Sequence, residues 1–456
     1  MNKVLLISTY ELGHQPFGLA SPSAWLKNAG VIVSCLDLAV QPLDQEIVAE
    51  ADLIGLYLPM HTATRLAVDL IPRLKAVNPQ AHLCCFGLYA PTNENYLRHL
   101  GVHTTIGGEF ESALVALYKE LFSTNGQSQK HVLNEAKVSL AKQQFLVPDR
   151  ALLPDLSNYA NLRLADGKIC QVGYTEASRG CKHLCRHCPI VPIYNGRFRV
   201  VQSDIVLADI RQQVAAGAQH ITFGDPDFLN GPGHAITIVQ SLHSEFPDLT
   251  YDVTIKVEHL LKYDHLLPVL QETGCLFITS AVEAVSDHIL EILDKGHTQA
   301  GFVQAALRLR ELGLILNPTF VAFTPWTTPL DYLEMLRTID ELDLIENIAP
   351  IQYAIRLLVP AGSRLLELSQ VRDLVGAYDQ SALYFPWQHP IQEMDELYKR
   401  VFRLVQQMND ASRLALFKGI WHEVLDLAPE LKSSPILARM PDSSTMPVPQ
   451  LSEAWY

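Results

Sequence analysis

The chain has 456 residues, 48% of them hydrophobic, and a net charge of −14 from 35 basic and 49 acidic residues. This length predicts two or three domains with sizeable cores. The acidic balance argues against a general nucleic-acid surface, and no apolar run reaches the length of a membrane span. The first apolar run is too short for a signal peptide, so we expect a cytoplasmic protein that contacts neither nucleic acid nor membrane.

Short apolar strands alternate with helices over residues 1–121. The expected strands are 3–8, 31–36, 51–58 and 81–86, and a further unit ends near 104–111. This alternation predicts an α/β fold with a doubly wound, Rossmann-like parallel sheet. Ligands of such sheets bind at the carboxyl ends of the strands, and His14 follows the first of these ends.

Residues 122–171 lack this alternation. They are expected to form a linker with a small hairpin around Asp166 and Gly167. At the other end, residues 371–456 are expected to be helical to about Leu431 and extended after Ser433, with Trp455 and Tyr456 last.

Strand–helix alternation resumes at residue 172 and continues to about 370. The expected strands are 172–177, 220–223, 251–256, 275–281, 314–323 and 348–356. The carboxyl end of the first of these strands leads into a cysteine-rich loop. Barrel folds place their active sites on that face.

The loop carries Cys181, Cys185 and Cys188, spaced C-x3-C-x2-C. Three thiolates within eight residues of a cytosolic chain favour a soft-metal site. A four-iron cluster normally takes four thiolates, so three would leave one iron to a non-protein ligand. The alternatives are a zinc site completed by His183 or His187, a disulfide, and three unrelated buried thiols.

This motif, on a loop after a strand, resembles the radical S-adenosylmethionine (SAM) superfamily. The resemblance implies that Cys181, Cys185 and Cys188 hold a [4Fe–4S] cluster, with the open iron chelated by SAM. It also implies that the six strand–helix repeats form a partial (β/α)6 barrel. His187 departs from the pattern, because the residue before the third cysteine is commonly aromatic and hydrophobic.

The first 121 residues are similar to the cobalamin-binding domain that precedes the barrel in one large class of these enzymes. The matching features are Pro16-x-Gly18, Leu36-Asp37 and Gly108-Glu109-x-Glu111. The signature Asp-x-His-x-x-Gly is not intact, because Leu12 holds the Asp position and Gly18 lies one residue too far from His14. Two alternatives stay open: a cobalamin domain with His14 as a candidate axial ligand, and a scaffold that binds no cofactor.

The resemblance also implies a SAM site at the ends of the barrel strands. Gly224 and Asp225 hold the position of the family's Gly-Gly-Glu-type segment, where an acid suits the SAM ammonium group. Asp227 is a second candidate for this role, and a helix N-cap is the structural alternative for these acids.

Three further strand ends carry candidate residues. Glu283 matches the family glutamate that binds the ribose hydroxyls, and Lys256 is expected to pair with the SAM carboxylate. Pro325 lies in a turn expected to pack on adenine. Arg356 is the weak candidate for a substrate-contacting catalytic residue.

These features lead us to expect a transferase that cleaves SAM reductively and transfers a methyl or another SAM-derived group to a small molecule. Natural-product or cofactor metabolism is the expected setting, and flavodoxin or ferredoxin is the expected electron donor. One alternative is 3-amino-3-carboxypropyl transfer, for example to arsenic, with Cys84 and Cys85 as a thiol pair of open role. Another is a non-enzymatic iron–sulfur or zinc sensor or scaffold. A methylthiotransferase is disfavoured, since it would need three further cysteines for a second cluster and a basic RNA-binding module.

Overall fold

The computed structural model describes residues 2–122, 137–408, 412–429, 431 and 448–452. Most of the expected extended tail, with Trp455 and Tyr456, lies outside these ranges, as does the first part of the expected linker, residues 123–136. No helix within these ranges is long and apolar enough to cross a membrane.

The first sheet is parallel and has six strands. They are β1 Lys3–Ser8, β2 Ile32–Asp37, β3 Leu53–Tyr57, β4 His82–Phe86, β5 Thr104–Gly108 and β6 Lys137–Ser139. Their order is β2-β1-β3-β4-β5-β6, which confirms the predicted Rossmann-like sheet and adds β6 to it. The chain reverses direction across the sheet between β1 and β3, and such a switch point opens a crevice at the strand ends.

Helices cover both faces of this sheet. They are α1 Phe17–Asn28, α2 Gln45–Glu50, α3 His61–Val77, α4 Glu94–His99 and α5 Glu111–Phe122. Alternate residues of β1 enter opposite cores, because side chains of a strand alternate between its faces. Leu5 and Ile7 join the core that contains α3, while Val4 and Leu6 join the core that contains α1 and α5.

Helix α1 begins at Phe17, directly after Pro16. Gly18 permits this start, because a Cβ atom there would lie 2.1 Å from the Tyr57 ring. The first helix can therefore approach the end of β3 closely, which the apolar pattern alone does not reveal.

The second sheet curls into a half-barrel. Its strands are β7 Asn161–Arg163, β8 Ile169–Thr175, β11 His220–Phe223, β12 Thr250–Thr254, β13 Cys275–Glu283, β14 Ile315–Phe320 and β15 Gln450–Leu451. A separate two-stranded ribbon pairs β9 Ser178–Gly180 with β10 Phe198–Val200. Strands β8 and β11–β14 are parallel neighbours, whereas β7 and β15 add an antiparallel edge. The pairing of β7 with β8 confirms the predicted hairpin at Asp166–Gly167.

Most helices of this half pack around the curled sheet and share its largest core. The helices of this half are α6 Val191–Tyr194, α7 Ser203–Ala215, α8 Pro232–Glu245, α9 Val257–Lys262, α10 Leu267–Glu272, α11 Asp287–Leu293, α12 Gln299–Glu311, α13 Pro329–Glu341, α14 Ser369–Arg372, α15 Gln392–Gln407 and α16 Arg413–Leu427. Residues 373–391 are not helical, contrary to the prediction for the C-terminal region.

The sixth predicted barrel strand, 348–356, is wrong. Pro350–Ala354 forms a 3₁₀ helix, and only Arg356 pairs in strand fashion, through one parallel bridge to Phe323. Pro350 has no N–H to give to a ladder, and the Gln352 side chain instead accepts a hydrogen bond from Phe320 N at 3.0 Å. The parallel part of the half-barrel thus has five full strands.

Candidate functional site

The cysteine loop is clamped at its two ends by the ribbon of β9 and β10. Phe198 pairs with Gly180 and Val200 with Ser178, so the chain leaves and re-enters at one place. Gly180 has φ +75°, and a Cβ atom on it would lie 2.4 Å from Tyr194 Cδ1 and 2.5 Å from Arg197 O. The loop therefore starts from a backbone position that only glycine occupies without strain.

The three cysteines of the loop lie close enough for their thiols to interact, with Cys185 buried and Cys181 and Cys188 partly buried. All eight cysteines of the chain are free, so the disulfide alternative is wrong. Burial, with smaller contributions from the thiols of Cys185 and Cys181, raises the pKa of Cys188 to about 12. Burial also raises the pKa of Cys181. Three adjacent thiols suit a soft-metal centre, because a bound metal deprotonates the thiols that coordinate it. The donor set therefore fits an iron–sulfur cluster.

A second group of potential ligands adjoins the first cysteine. Cys181 Sγ, a ring nitrogen of His183 and a carboxylate oxygen of Asp227 all lie within 4.8 Å of one another. His259 Nδ1 is 2.7 Å from Asp227 Oδ2. Of the two histidines considered for a zinc site, His183 thus lies in a set that could hold a metal ion, whereas His187 Nε2 lies 3.1 Å from a Glu283 oxygen.

The two acids after β11 face different ways. Asp225 accepts hydrogen bonds from Ala177 N at 2.9 Å and from Ser178 Oγ at 2.5 Å. It is buried, and this burial raises its pKa to about 7. Both of its oxygens hold the connection between β8 and β9, so Asp225 positions the cysteine loop. Gly224 permits this approach, because a Cβ atom on it would lie 1.8 Å from the Tyr174 hydroxyl.

Asp227 directs its two oxygens to different partners. Its Oδ1 accepts from Leu229 N at 3.2 Å and so caps the 3₁₀ helix Phe228–Asn230. Its buried Oδ2 lies 2.7 Å from His259 Nδ1 and 3.4 Å from His183 Nε2, although neither contact has the geometry of a well-formed hydrogen bond. Asp227 thus faces two ring nitrogens beside the cysteine loop, whereas both oxygens of Asp225 accept hydrogen bonds from the chain that leads into it.

Glu283 lies at the end of β13 with φ +68°. Its Oε1 is 3.3 Å from Lys295 Nζ and 3.1 Å from His187 Nε2. Burial alone would raise the pKa of Glu283, but Lys295 and His187 together lower it to about 2. Sequence reasoning found Glu283 and missed Lys295, which follows a helix end in a loop with no spacing signal.

The other candidates occupy distinct surroundings. Lys256 Nζ is 3.2 Å from Glu258 Oε2, which in turn is 3.3 Å from His183 Nδ1, so Lys256 is linked to the cysteine loop. Pro325 lies in a turn closed by a hydrogen bond from Thr324 N to Thr327 Oγ1 at 3.0 Å.

Arg356 is held away from the candidate site. Its guanidinium lies 3.7 Å above the Trp387 ring and donates to Asp395 Oδ1 at 2.6 Å and to Trp387 O at 2.8 Å. It lines neither of the two cavities at the carboxyl ends of the strands. The structure gives Arg356 a packing and pairing role between β14 and α15, not a substrate contact.

These two cavities adjoin each other. One of about 410 Å³ occupies the half-barrel interior, and one of about 230 Å³ lies in a cleft between the first sheet and the cysteine loop. His14 lines both, with its ring 5.0 Å from that of Tyr174. The cleft is the place where a ligand of the first sheet would contact the half-barrel.

A buried ion cluster crosses from one sheet to the other beside this cleft. Arg179 of β9 lies 2.5 Å from Glu176, 2.7 Å from Glu111 and 3.6 Å from Glu109. Its guanidinium also lies 4.9 Å from the centre of the Phe110 ring. Burial raises the pKa of Glu109 to about 7 even with Arg179 nearby. Sequence reasoning did not pair Arg179 with Glu109 and Glu111, since these two acids lie in the first half of the chain.

The curled sheet and the three-cysteine loop at its mouth define a class of protein. Residues 175–342 match the Radical SAM superfamily, so this segment is a radical SAM domain. That family implies a [4Fe–4S] cluster and SAM. The first sheet precedes the half-barrel along the chain, and solved cobalamin-dependent radical SAM enzymes have a similar fold.

Solved structures show this fold. The cobalamin-dependent SAM radical enzyme OxsB, with aqua-cobalamin and SAM bound, superposes with a TM-score of 0.72 at 13% identity, over 95% of this chain and 75% of OxsB. The radical SAM methyltransferase TsrM from Kitasatospora setae, with cobalamin and a [4Fe–4S] cluster bound, gives 0.59 at 16% identity, over 75% and 71% of the two chains.

Curated relatives match more locally. The tRNA-2-methylthio-N(6)-dimethylallyladenosine synthase of Hahella chejuensis is 24% identical over 243 residues, which cover 48% of this chain and 50% of the synthase. The uncharacterized methyltransferase PH0819 of Pyrococcus horikoshii is 25% identical over 241 residues, or 52% and 49% of the two chains. The chain thus spans about half the length of these relatives.

Proposed function

We propose that this chain holds a [4Fe–4S] cluster on Cys181, Cys185 and Cys188, cleaves SAM reductively and transfers a SAM-derived group, with methyl as the leading candidate, to a small molecule. The observation that carries the proposal is the three-cysteine loop, which the ribbon of β9 and β10 closes at the half-barrel mouth, within the segment that matches the Radical SAM superfamily. A bound cluster of this kind supplies the single electron that breaks a carbon–sulfur bond of SAM.

The side chains around the loop suit the polar parts of SAM. Asp227 offers Oδ2, beside His259 and His183, to the ammonium group, and Lys256 offers a cation to the carboxylate. Glu283 receives Lys295 and His187 on Oε1, so we assign Oε2 to a ribose hydroxyl. Electrostatic contacts count for most where water is excluded, and Asp227 and Glu283 are only 1% and 8% exposed.

Cobalamin is a further proposal, supported by the cobalamin bound to the similar structures of OxsB and TsrM. The strand-end cleft with His14 is where we would expect it. At about 230 Å³ the cleft is smaller than the roughly 300–1,000 Å³ of pockets for drug-sized ligands, and a corrinoid is larger than such ligands. The cleft as it stands does not hold a corrin ring, so no proposed step depends on one.

A small-molecule substrate is favoured over RNA or ribosomal protein, although several curated relatives are methylthiotransferases. Cys84 and Cys85 are neighbours on β4, and their side chains enter opposite cores of the first sheet. They therefore cannot join Cys35 in a second three-cysteine site. The net charge of −14 also disfavours an RNA surface.

The test is anaerobic reconstitution with iron and sulfide, followed by reduction with dithionite or flavodoxin in the presence of SAM and mass spectrometry of the products. We expect about four irons per chain and formation of S-adenosylhomocysteine, 5′-deoxyadenosine or both, abolished by Cys185→Ala. The matched control is Cys170→Ala, a buried cysteine of β8 outside the loop, which should keep both iron and turnover.

Other products would redirect the proposal. Methylthioadenosine would favour 3-amino-3-carboxypropyl transfer over methyl transfer. A chain with a full cluster that neither binds nor cleaves SAM would contradict the enzyme proposal and favour a sensor or scaffold. Absorbance of a co-purified or added corrinoid, retained through gel filtration, tests cobalamin separately.

A further inference from the structure

The interior of the half-barrel is lined by short polar side chains. Closed barrels fill this space with bulky branched apolar residues, which pack it solid. Here Thr254, Thr279 and Asn317 stand side by side on β12, β13 and β14, and Thr222 and Asp252 stand side by side one pleat lower. All five line the cavity of about 410 Å³, so the polar lining leaves room for a ligand.

The ring of Phe277 lines the lower part of the cavity. It stacks on the ring of His220, with ring centres 5.8 Å apart and nearly parallel planes, and both residues are buried. At the other end the lining includes Gly224 and Ala281, near the carboxyl ends of β11 and β13. The cavity therefore extends from Phe277 toward the face that carries the cysteine loop.

Asp252 is a buried acid that lines this cavity. It is 4% exposed. Its Oδ1 accepts from Thr222 Oγ1 at 2.6 Å and lies 2.9 Å from His220 Nε2. His220 is fixed from its other side by Thr250 Oγ1 at 2.8 Å from Nδ1. Both contacts reach the same carboxylate oxygen, so the acid is held in one orientation with Oδ2 left for a ligand.

The other charged groups of the cavity are already engaged. Asp225 uses both oxygens on Ala177 and Ser178. Arg413 donates to the Glu346 carbonyl. His220 and Thr222 engage Oδ1 of Asp252, and an ammonium group on Oδ2 would add a charge-assisted hydrogen bond to the buried acid.

We propose that Asp252 binds the ammonium group of the substrate, and that the substrate is therefore a small polar amine that fits the half-barrel interior. This inference rests on the proposed function, because it assigns the acceptor site of the same enzyme. The volume of about 410 Å³ is within the range of small-molecule pockets. The polar wall selects against aromatic or aliphatic substrates.

The test uses three probes of equal length that differ in charge: ethanolamine, ethylene glycol and glycolate. Saturation-transfer NMR is recorded on the cluster-loaded chain with SAM present, so that the SAM site is filled. We expect a signal for ethanolamine at least threefold that for ethylene glycol, and glycolate weakest. In Asp252→Asn the ethanolamine signal should fall to the level of ethylene glycol. Asp248→Asn, an exposed acid on the loop before β12, is the matched control and should leave the preference unchanged.

A second variant guards against misfolding of the first. Thr279→Leu keeps the charges and fills the cavity, so it should weaken the signals of all three probes together. Equal signals for the three probes in the unsubstituted chain, or an ethanolamine preference that survives in Asp252→Asn, would overturn the proposal. Loss of SAM binding in Asp252→Asn would overturn it too, by placing SAM in the cavity. If the unsubstituted chain fails to cleave SAM, the proposed function fails while the probe preference is still measured.

Discussion

Lys295 Nζ lies 3.3 Å from Glu283 Oε1, and both side chains are buried beside the cysteine loop. Burial of either charge alone would be costly, so the two residues stabilise each other's ionised form. Lys295 and His187 together hold the pKa of Glu283 at about 2, below its ordinary 4.5. An acid whose pKa falls on folding stabilises the fold above its unfolded pKa and loses that contribution as the pH falls through the folded value.

The first prediction removes the lysine of this pair. Lys295→Met leaves the buried Glu283 with His187 but no lysine on Oε1, and we expect a loss of at most about 3–5 kcal/mol in the free energy of unfolding at pH 7. The deficit relative to the unsubstituted chain should shrink as the pH falls toward and below the ordinary pKa of a glutamate, because Glu283 of the variant then takes up a proton. Urea unfolding of the cluster-free chain between pH 7 and pH 4 measures it.

The matched control for Lys295→Met is Arg211→Met. Arg211 pairs with Glu245 at 2.6 Å, but both side chains are solvent-exposed, so little change is expected. Equal effects of the two substitutions, or a deficit in Lys295→Met that does not depend on pH, would contradict the prediction. SAM affinity of the loaded variant provides a separate readout of the Glu283 orientation.

A second prediction concerns the ion cluster between the sheets. Arg179→Leu removes the cation that faces Glu109, Glu111 and Glu176, and three buried carboxylates then lie together. We expect destabilisation of at least about 3 kcal/mol at pH 7, easing at lower pH as the acids become protonated. Adding Glu111→Gln should recover part of the loss, because it removes one unpaired charge. Urea unfolding is measured on the unsubstituted chain, on Arg179→Leu, on Glu111→Gln and on the double variant, and strictly additive single effects would argue against coupling across the sheets.

A third prediction separates the two acids after β11. Asp227→Asn should weaken SAM binding by about tenfold or more, since it removes the charge assigned to the ammonium group. Asp225→Asn should lower cluster occupancy, because an amide cannot accept from both Ala177 N and Ser178 Oγ. Its SAM affinity per loaded chain should change little. Equilibrium dialysis measures the SAM affinity of the two variants, and iron quantification measures their cluster content. Weak SAM binding in Asp225→Asn together with low iron in Asp227→Asn would instead identify Asp225 as the SAM ligand.

Much of this architecture follows from patterns that the sequence displays. Apolar runs such as Val4–Ile7 identify buried parallel strands. Because ligands of such sheets bind at strand ends, the sequence also predicts that Lys256 and Glu283 lie near the cysteine loop. The C-x3-C-x2-C spacing lies within eight residues, so it can be recognised without knowledge of the fold. These signals depend on neighbouring residues alone.

The remainder depends on contacts between distant segments, which a single sequence does not display. Arg179 pairs with Glu109 and Glu111, which lie in the first half of the chain. Lys295 pairs with Glu283, which ends β13. Asp225 and Asp227 are two residues apart, and only the path of the turn decides that Asp225 contacts Ala177 and Ser178 while Asp227 contacts His183 and His259. The apolar run at 348–356 reads as a strand, but Pro350 within it favours a 3₁₀ helix.

The last prediction tests whether the backbone at the start of the cysteine loop limits cluster assembly. Gly180→Ala places a Cβ atom 2.4 Å from Tyr194 and 2.5 Å from Arg197 O at a positive φ, so either the ribbon or α6 must shift. Gly167→Ala shares the positive φ, at +87°, but its Cβ atom meets nothing within 4 Å. Both substitutions should cost about 1 kcal/mol for the left-handed backbone, and only Gly180→Ala should add a packing cost and lose iron. Two measurements separate these contributions: urea unfolding of the cluster-free chains, and the iron and sulfide content per chain after reconstitution. Full iron content in Gly180→Ala would contradict the prediction, because the loop would then assemble a cluster without the ribbon geometry that Gly180 permits.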